Sequence, residues 1–517
     1  MEEKQGNIVQ SVSFRLARNS FYNLATQVVM MGLGLWAIPK IVHGISDERF
    51  GLLSLVWAFL GYFSLLDLGI SRAATKFLVD SIAEGSSERT RSILSASLQL
   101  TLLIGLMMSF ALWALAPFLV TSIFSVGGSL RQEALTSLYW TAFALPFVLI
   151  SGVARAAQMA YQRFDIMNVL QGALGIVQWI GSVVVVRLGY GLVEIVALSV
   201  VARLVTTIAG LLLLPAIGAP KLTVRSGWSA PTTKRLFGFG GWVTVSQIIG
   251  PLFQYMDRFL IGSLLTLSAV TYYTVPQEIL SRMLVIPLSL SLVLFPVLSQ
   301  GEGSMGMSAD QSKLYMRSMK YLFFMMFPIT LMGFAMASDF LRWWVGPDFA
   351  QSSSVVLQIL SVGFLFNALA QMPATALQAA GHPNVMAKFH MLEILPTLGL
   401  AALLISFFGL VGAAFAFTTR VIIDCLLLSF ATHRLIPASE DRSRMSLFHP
   451  RHLVNNLLYI SVVILLWIFA TGILKAGLLV VVLIAYSLTL WFVSFDDADR
   501  AFFLKLRTRF LGGTSKG

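Results

Sequence analysis

The residues of greatest chemical consequence in this chain are charges embedded in apolar sequence. Arg203 and Arg420 each lie near the middle of a long hydrophobic run. A guanidinium keeps its charge in any environment, and its planar fork can donate two parallel hydrogen bonds to a phosphate or carboxylate. At mid-bilayer such a charge costs at least about 2.5–3.5 kcal/mol on insertion scales, so it marks either a wet cavity that meets an anion or a structural pair. Both readings stand for these two residues. Asp424 follows Arg420 by one helical turn, and Arg203 has backbone carbonyls within reach of its side chain. Arg258 and Arg282 are further candidates for a cavity wall, and Asp257, Glu278, Glu393 and Asp424 are candidate ion-coupling carboxylates. Glu393, near the start of its run, is a candidate proton or cation site. Glu278 and Arg282 have the favoured i,i+4 order, which predicts an intrahelical ion pair.

Nothing points to catalysis. The chain has no Gly-x-x-x-x-Gly-Lys-Ser/Thr phosphate loop, no His-Glu-x-x-His and no nucleophile elbow. Its six histidines are scattered, no metal-ligand set is clustered, and the single Cys425 excludes an intrachain disulfide and a cysteine-based metal cluster. The expectation is a protein that is not an enzyme, with no catalytic residue, metal or cofactor. An H+ or Na+ gradient is the energetic input left open.

The elements that must hold these charges are transmembrane helices. The 517 residues are 57% hydrophobic and 12% charged, with a mean hydropathy of +0.81. That is too little charge to cover a water-soluble surface of this size. A hydrocarbon core of roughly 30 Å needs about 20 apolar residues per helix. Such runs lie near 21–41, 50–70, 93–120, 134–154, 166–186, 190–214, 237–262, 269–299, 321–339, 355–377, 389–409, 411–431, 453–473 and 476–494. They are long and continuously apolar, unlike the short alternating strands of a membrane barrel. The fold class expected is an all-α polytopic membrane protein of about 14 transmembrane helices.

The net charge of +12 raises the question of nucleic acid, but the basic residues sit in short connections between apolar runs, so no nucleic-acid partner is expected. Arg15, Arg18, Arg72, Lys76, Arg89, Arg91, Arg155, Arg163, Lys221 to Arg235, Lys313 to Lys320, Lys388 and the basic tail all fall on the side that holds the N-terminus. The positive-inside rule then places both termini in the cytoplasm. The N-terminal residues lack the short apolar core and cleavage site of a removable signal peptide.

A weak duplication runs through the chain. Gln158 stands opposite Gln378 and Gly189 opposite Gly409, a register of about 220 residues. The displacement covers six spans, an even number, so the two copies share one membrane orientation. Parallel repeats of this kind enclose a cavity between two bundles. The expected organisation is two pseudo-symmetric six-helix lobes, 1–214 and 237–435, joined by a cytoplasmic linker at 215–236. Residues 436–517 add two C-terminal helices and a basic tail.

The stretch Phe50-Gly-Leu-Leu, followed by Leu66-Asp-Leu-Gly-Ile-Ser-Arg-Ala-Ala-Thr-Lys-Phe, resembles the first-hairpin signature of the polysaccharide transporter family. That family is the oligosaccharide flippase (Wzx-like) branch of the multidrug/oligosaccharidyl-lipid/polysaccharide exporter superfamily. Met256-Asp-Arg-Phe-Leu-Ile-Gly resembles its seventh-helix motif, and Leu377-Gln-Ala-Ala-Gly-His-Pro its loop after the tenth helix. The resemblance covers roughly residues 12 to 435 and marks Asp67, Gly69, Arg72, Lys76, Gln378 and Gly381 as structural motif positions.

The resemblance implies a flippase in a bacterial or archaeal plasma membrane. It would carry a polyprenyl-pyrophosphate-linked oligosaccharide to the outer leaflet for O-antigen, capsule or exopolysaccharide synthesis. Its partners would be that lipid-linked oligosaccharide and membrane lipids, with a polysaccharide polymerase and a chain-length regulator as neighbours. A cationic hydrated cavity would lower the barrier to a pyrophosphate, which assigns Arg203 and Arg420 a place facing it. The competing readings are a cation-coupled multidrug exporter, which would favour carboxylates in its cavity, and a membrane-embedded glycan polymerase or ligase. The second is disfavoured because every outer connection is short.

Overall fold

The computed structural model describes residues 27, 29–67, 69–220, 252–299, 309–435, 450–495 and 499–500. In hydrocarbon every backbone N–H and C=O must be satisfied within its own segment, so continuous apolar runs become helices. In chain order these are α1 (29–45), α2 (Asp47–Leu65), α3 (Ile70–Ala83), α4 (Ser87–Phe118), α5 (Leu130–Ala160), α6 (Phe164–Arg187) and α7 (Leu192–Leu212). There follow α8 (252–264), α9 (Leu267–Ser281), α10 (Val285–Leu298), α11 (Ala309–Ala335), α12 (Ala337–Trp344) and α13 (Pro347–Ala379). The helical stretch Pro383–Leu435 is broken at Gly409, whose φ of +58° turns the chain back, and is treated as α14 (383–408) and α15 (410–435). The last helices are α16 (Pro450–Phe469) and α17 (Gly472–Thr489).

Among the described residues nine helical stretches are long and apolar enough to cross a bilayer, Pro383–Leu435 being counted once. That hairpin counts as two passes. Two shorter apolar helices, Val29–Ile45 and Val454–Phe469, add to these. The protein is a multi-pass membrane protein.

Three boundaries differ from the sequence expectation, and each has a local cause. The stretch holding Arg72 and Lys76 is not a loop but α3, because Ile70, Ala73, Ala74 and Leu78 recur at helical spacing and are buried. Helix α4 starts at Ser87, where the Ser86 hydroxyl accepts from Arg89 N at 3.3 Å, so Arg89 and Arg91 are helical. Helix α5 continues to Ala160, which carries Arg155 and Gln158 on its last turns instead of in a connection. The predicted linker is described only to residue 220. Lys221, Arg225, Lys234 and Arg235 lie outside the described residues.

The chain divides into two compact units. One holds residues up to Val275 together with Ala401–Leu410, and the other holds Pro276–Leu400 and Val411 onward. In the first unit α5 packs against α4, α2, α3 and α7. Arg49 at the start of α2 makes a bidentate pair with Glu133 of α5, both bonds at 2.7 Å. Tyr272 Oη donates to Asp47 Oδ2 at 2.6 Å and Thr271 Oγ1 to the Asp47 carbonyl at 2.6 Å, which joins α9 to the start of α2. Helices α4 and α5 approach at Gly105, where an added Cβ would stand 2.6 Å from Pro146 Cα. Backbone cannot yield as a side-chain tip does. Gly105→Ala should therefore destabilise the protein by about 1–3 kcal/mol, read as a lower unfolding temperature in detergent. An unchanged temperature would show that this contact relaxes without cost.

In the second unit α13 packs against α10, α11 and α12. Helices α11 and α12 are each tied to the C-terminal residues by an ion pair. Buried Lys320 of α11 pairs with buried Asp499 beyond α17, and Lys475 of α17 reaches Asp339 of α12 at 3.0 Å.

The two helix ends read as repeated in the sequence close with the same cap, which also ends α3 and α6. After α5, Tyr161, Gln162 and Arg163 N–H groups donate to Ala157, Met159 and Gln158 carbonyls. After α13, Ala380, Gly381 and His382 donate to Ala376, Gln378 and Leu377 in the same pattern. Gln162 and Gly381 both have positive φ, at 56° and 80°. Gly189 and Gly409, with φ of 82° and 58°, make the turns after α6 and α14.

Candidate functional site

Helices α5, α6 and α7, with Ser64 of α2, enclose a cavity of about 290 Å³. Arg203 reaches it from α7. It stands eleven residues beyond Leu192, which is about 16 Å along the helix at 1.5 Å per residue and near mid-bilayer depth. One turn on, Thr207 Oγ1 donates to the Phe147 carbonyl at 3.2 Å and holds α7 against α5. The Arg203 Nε is buried with no hydrogen-bond partner. A second guanidinium, Arg155 of α5, lines the same cavity, and among the described residues no carboxylate does.

Arg155 lies in the field of Asp67. The Asp67 oxygens accept from Gly69 N at 3.0 Å and Ser71 N at 2.9 Å, which caps α3 after a left-handed Gly69 at φ 70°. Helix α5 meets this cap at Gly152, whose added Cβ would lie 2.6 Å from Ser71 Oγ. The hairpin motif is therefore the support of the wall that carries Arg155. Arg72 and Lys76 of the motif are exposed.

Three glutamines complete the lining. Gln178 sits in a π-helical turn, Val177–Gly181, a widening of the helix often found at functional sites. Gln171 lies two turns earlier on α6. Gln158 is 1% exposed, and neither amide atom has a partner. A buried unpaired amide costs about 1–3 kcal/mol. Gln158→Leu should accordingly leave thermal stability equal or higher while lowering transport. Lower stability with unchanged transport would assign the amide a packing role.

The second unit has a cavity of about 340 Å³ between α14 and α15. Its walls are apolar apart from Glu393, Thr397 and Arg420. Arg420 lies over the Phe417 ring at 5.5 Å and in the field of Glu393. His390 Nε2 stands 3.3 Å from Asp424 Oδ1.

The remaining candidates sit elsewhere. Asp257 and Arg258 are buried on α8, with Asp257 Oδ2 accepting from Tyr273 at 2.8 Å and Arg258 over Tyr255 at 5.7 Å. Arg282 donates to Glu278 at 3.2 Å as an i,i+4 pair. Gln378 is exposed, its amide 3.7 Å from Met386 Sδ, and Gly381 is the left-handed residue after α13. Arg155, Gln171, Gln178 and His390 were not singled out as site residues from the sequence. Arg155 and Gln158 belong to the repeated segment, and continuing α5 by two turns would have turned them inward. His390, one of the histidines read as scattered, precedes Glu393 by one helical turn.

Residues 16–302 match a family described as "Polysaccharide biosynthesis protein". The chain belongs to this family. It is 26% identical over 430 residues to the "Putative O-antigen transporter" of Shigella flexneri, covering 82% of this chain and 100% of that one. It is 23% identical over 444 residues to the "Probable low-salt glycan biosynthesis flippase Agl15" of Haloferax volcanii, covering 84% of each. Among solved structures, the inward closed conformation of the lipid II flippase MurJ aligns with a TM-score of 0.70 at 13% identity, over 92% of this chain and 99% of that one. An inward-facing MATE-family multidrug resistance transporter aligns at 0.65 and 14% identity, over 81% and 95%. The family member thus has the fold shared by these transporters.

Proposed function

We propose that this protein flips a polyprenyl-pyrophosphate-linked oligosaccharide from the cytoplasmic to the outer leaflet of a bacterial or archaeal plasma membrane, supplying cell-surface polysaccharide synthesis. The observation that carries this reading is the cavity walled by Arg155 and Arg203, with glutamine amides around them and no carboxylate among the described residues of its lining. Two guanidiniums at membrane depth offset the cost of bringing phosphate into hydrocarbon, and amides suit sugar hydroxyls. Family membership and two relatives named as an O-antigen transporter and a glycan flippase support the same reading.

Both termini face the cytoplasm in this scheme, and lobes 1–214 and 237–435 alternate about the linker at 215–236. A polymerase and a chain-length regulator would receive the product. The chain performs no bond chemistry. A multidrug exporter for cationic compounds would need carboxylates where this cavity presents arginines.

The test is purified full-length protein in liposomes that hold undecaprenyl-pyrophosphate-linked oligosaccharide in both leaflets. An impermeant sugar-modifying reagent should reach about half of the substrate without the protein and nearly all of it with the protein. Protein-independent accessibility, or export of a cationic dye in its place, would overturn the reading.

A further inference from the structure

The described lining of the Arg155 and Arg203 cavity holds no carboxylate, but one stands behind its wall. Asp67, 6% exposed, lies at the break between α2 and α3. Its Oδ1 accepts from Gly69 N at 3.0 Å and its Oδ2 from Ser71 N at 2.9 Å, so main-chain donors fix both oxygens. Helix α5 passes close by. An added Cβ at Gly152 would stand 2.6 Å from Ser71 Oγ and 3.8 Å from Asp67 Oδ2. Arg155 follows Gly152 by three residues, which puts it one turn on along the same face of α5. It lies in the field of Asp67, which acts on it through space. The guanidinium is left to the cavity that it lines.

Three fixed charges therefore act on an anion in this cavity. Arg155 and Arg203 attract it, and Asp67 repels it from behind. Burial keeps salt from screening that repulsion as it would at a surface. The pyrophosphate between a polyprenol and a sugar carries an ionised oxygen on each phosphorus, so the arginines alone would hold it firmly. A transport site must bind its cargo well enough to admit it and weakly enough to let it leave.

We propose that Asp67 acts through Arg155 to weaken the hold of the cavity on the substrate pyrophosphate, so that the anion is released after it has crossed. The role in release rests on the flipping activity proposed above; the weakening of anion binding rests on the placement of Asp67 alone.

Two measurements keep these apart. In the purified full-length protein, binding of inorganic pyrophosphate is read by titration calorimetry. Asp67→Asn keeps an oxygen for the cap and should tighten binding about three- to tenfold, as expected when one like charge is removed from a partly buried site. Asp67→Ser, another capping side chain, should do the same. Gly69→Ala strains the left-handed turn at φ 70° but keeps the carboxylate, so it should lower the unfolding temperature without tightening binding. Unchanged or weaker binding in both Asp67 variants, or equal tightening in Gly69→Ala, would overturn the proposal. So would tightening that persists when Asp67→Asn is combined with Arg155→Ala and Arg203→Ala.

In the liposome assay, Asp67→Asn should lower the half-saturating substrate concentration and the flipping rate at saturation together. A lost cap by itself would lower the rate in proportion to the folded protein and leave half-saturation where it was, which would overturn the role in release. Wild-type protein that flips nothing, while Asp67→Asn still binds pyrophosphate more tightly, would fail the flippase reading and leave the effect of Asp67 on the anion site standing.

Discussion

Arg203→Ala should lower protein-dependent flipping about ten- to a hundredfold while the amount of protein in the membrane stays as in the wild type. A hydrogen bond to a charged group contributes about 1.5–3 kcal/mol, and each 1.4 kcal/mol is tenfold. Arg203 has the conditions to realise this. It sits near the middle of its helix, and among the described residues its Nε has no partner and no carboxylate lines its cavity. Arg203→Lys should fall between the two, since it keeps the charge and loses the fork. The double variant Arg155→Ala/Arg203→Ala should lose most of what remains. Flipping is measured by the sugar-accessibility assay in liposomes, and membrane abundance by quantitative immunoblot. Wild-type transport in the double variant would remove both arginines from the path of the phosphate.

A loss of comparable size, in stability instead of transport, is expected at the other end of the chain. Lys320 and Asp499 are 2% and 0% exposed and form an ion pair, while Tyr321 Oη donates to the second Asp499 oxygen at 2.5 Å. Arg317 Nε stands further off at 3.9 Å. Removing one partner of such a pair leaves a buried charge uncompensated, at a cost of about 3–5 kcal/mol, whereas replacing both with apolar residues is often near neutral. Lys320→Met should therefore lower the unfolding temperature in detergent and expose the C-terminal region to protease. The double variant Lys320→Met/Asp499→Leu should recover much of the loss, a coupling that a double-mutant cycle measures. A single variant as stable as the wild type would mean that Arg317 and Tyr321 hold Asp499 unaided. The pair matters to architecture because it joins α11 to the residues beyond α17, so the two C-terminal helices are anchored to the second unit at this point and again through Lys475 and Asp339.

The two arginines singled out by position show how far reading residues along the chain can go. Both were legible as buried charges because a charge in a long apolar run stands out from any background. Their partners were not. His390 lies 34 residues before Asp424 in sequence and 3.3 Å from it in space, through a hairpin whose turn at Gly409 sets the facing of two helices. Arg203 shares its cavity with Arg155, whereas Arg420 shares its cavity with Glu393.

What the sequence determined by itself was the order and apolar character of the spanning helices. In hydrocarbon each segment must satisfy its own backbone, so local composition is enough to specify a spanning helix. Tertiary packing alone decided which side of each helix lines a cavity. Lipid and protein interior are both apolar, so a spanning helix carries little amphipathic pattern to orient it. The continuation of α5 past its apolar run, the opening of α6 at its π turn and the Asp67 cap beneath Arg155 brought the site residues together.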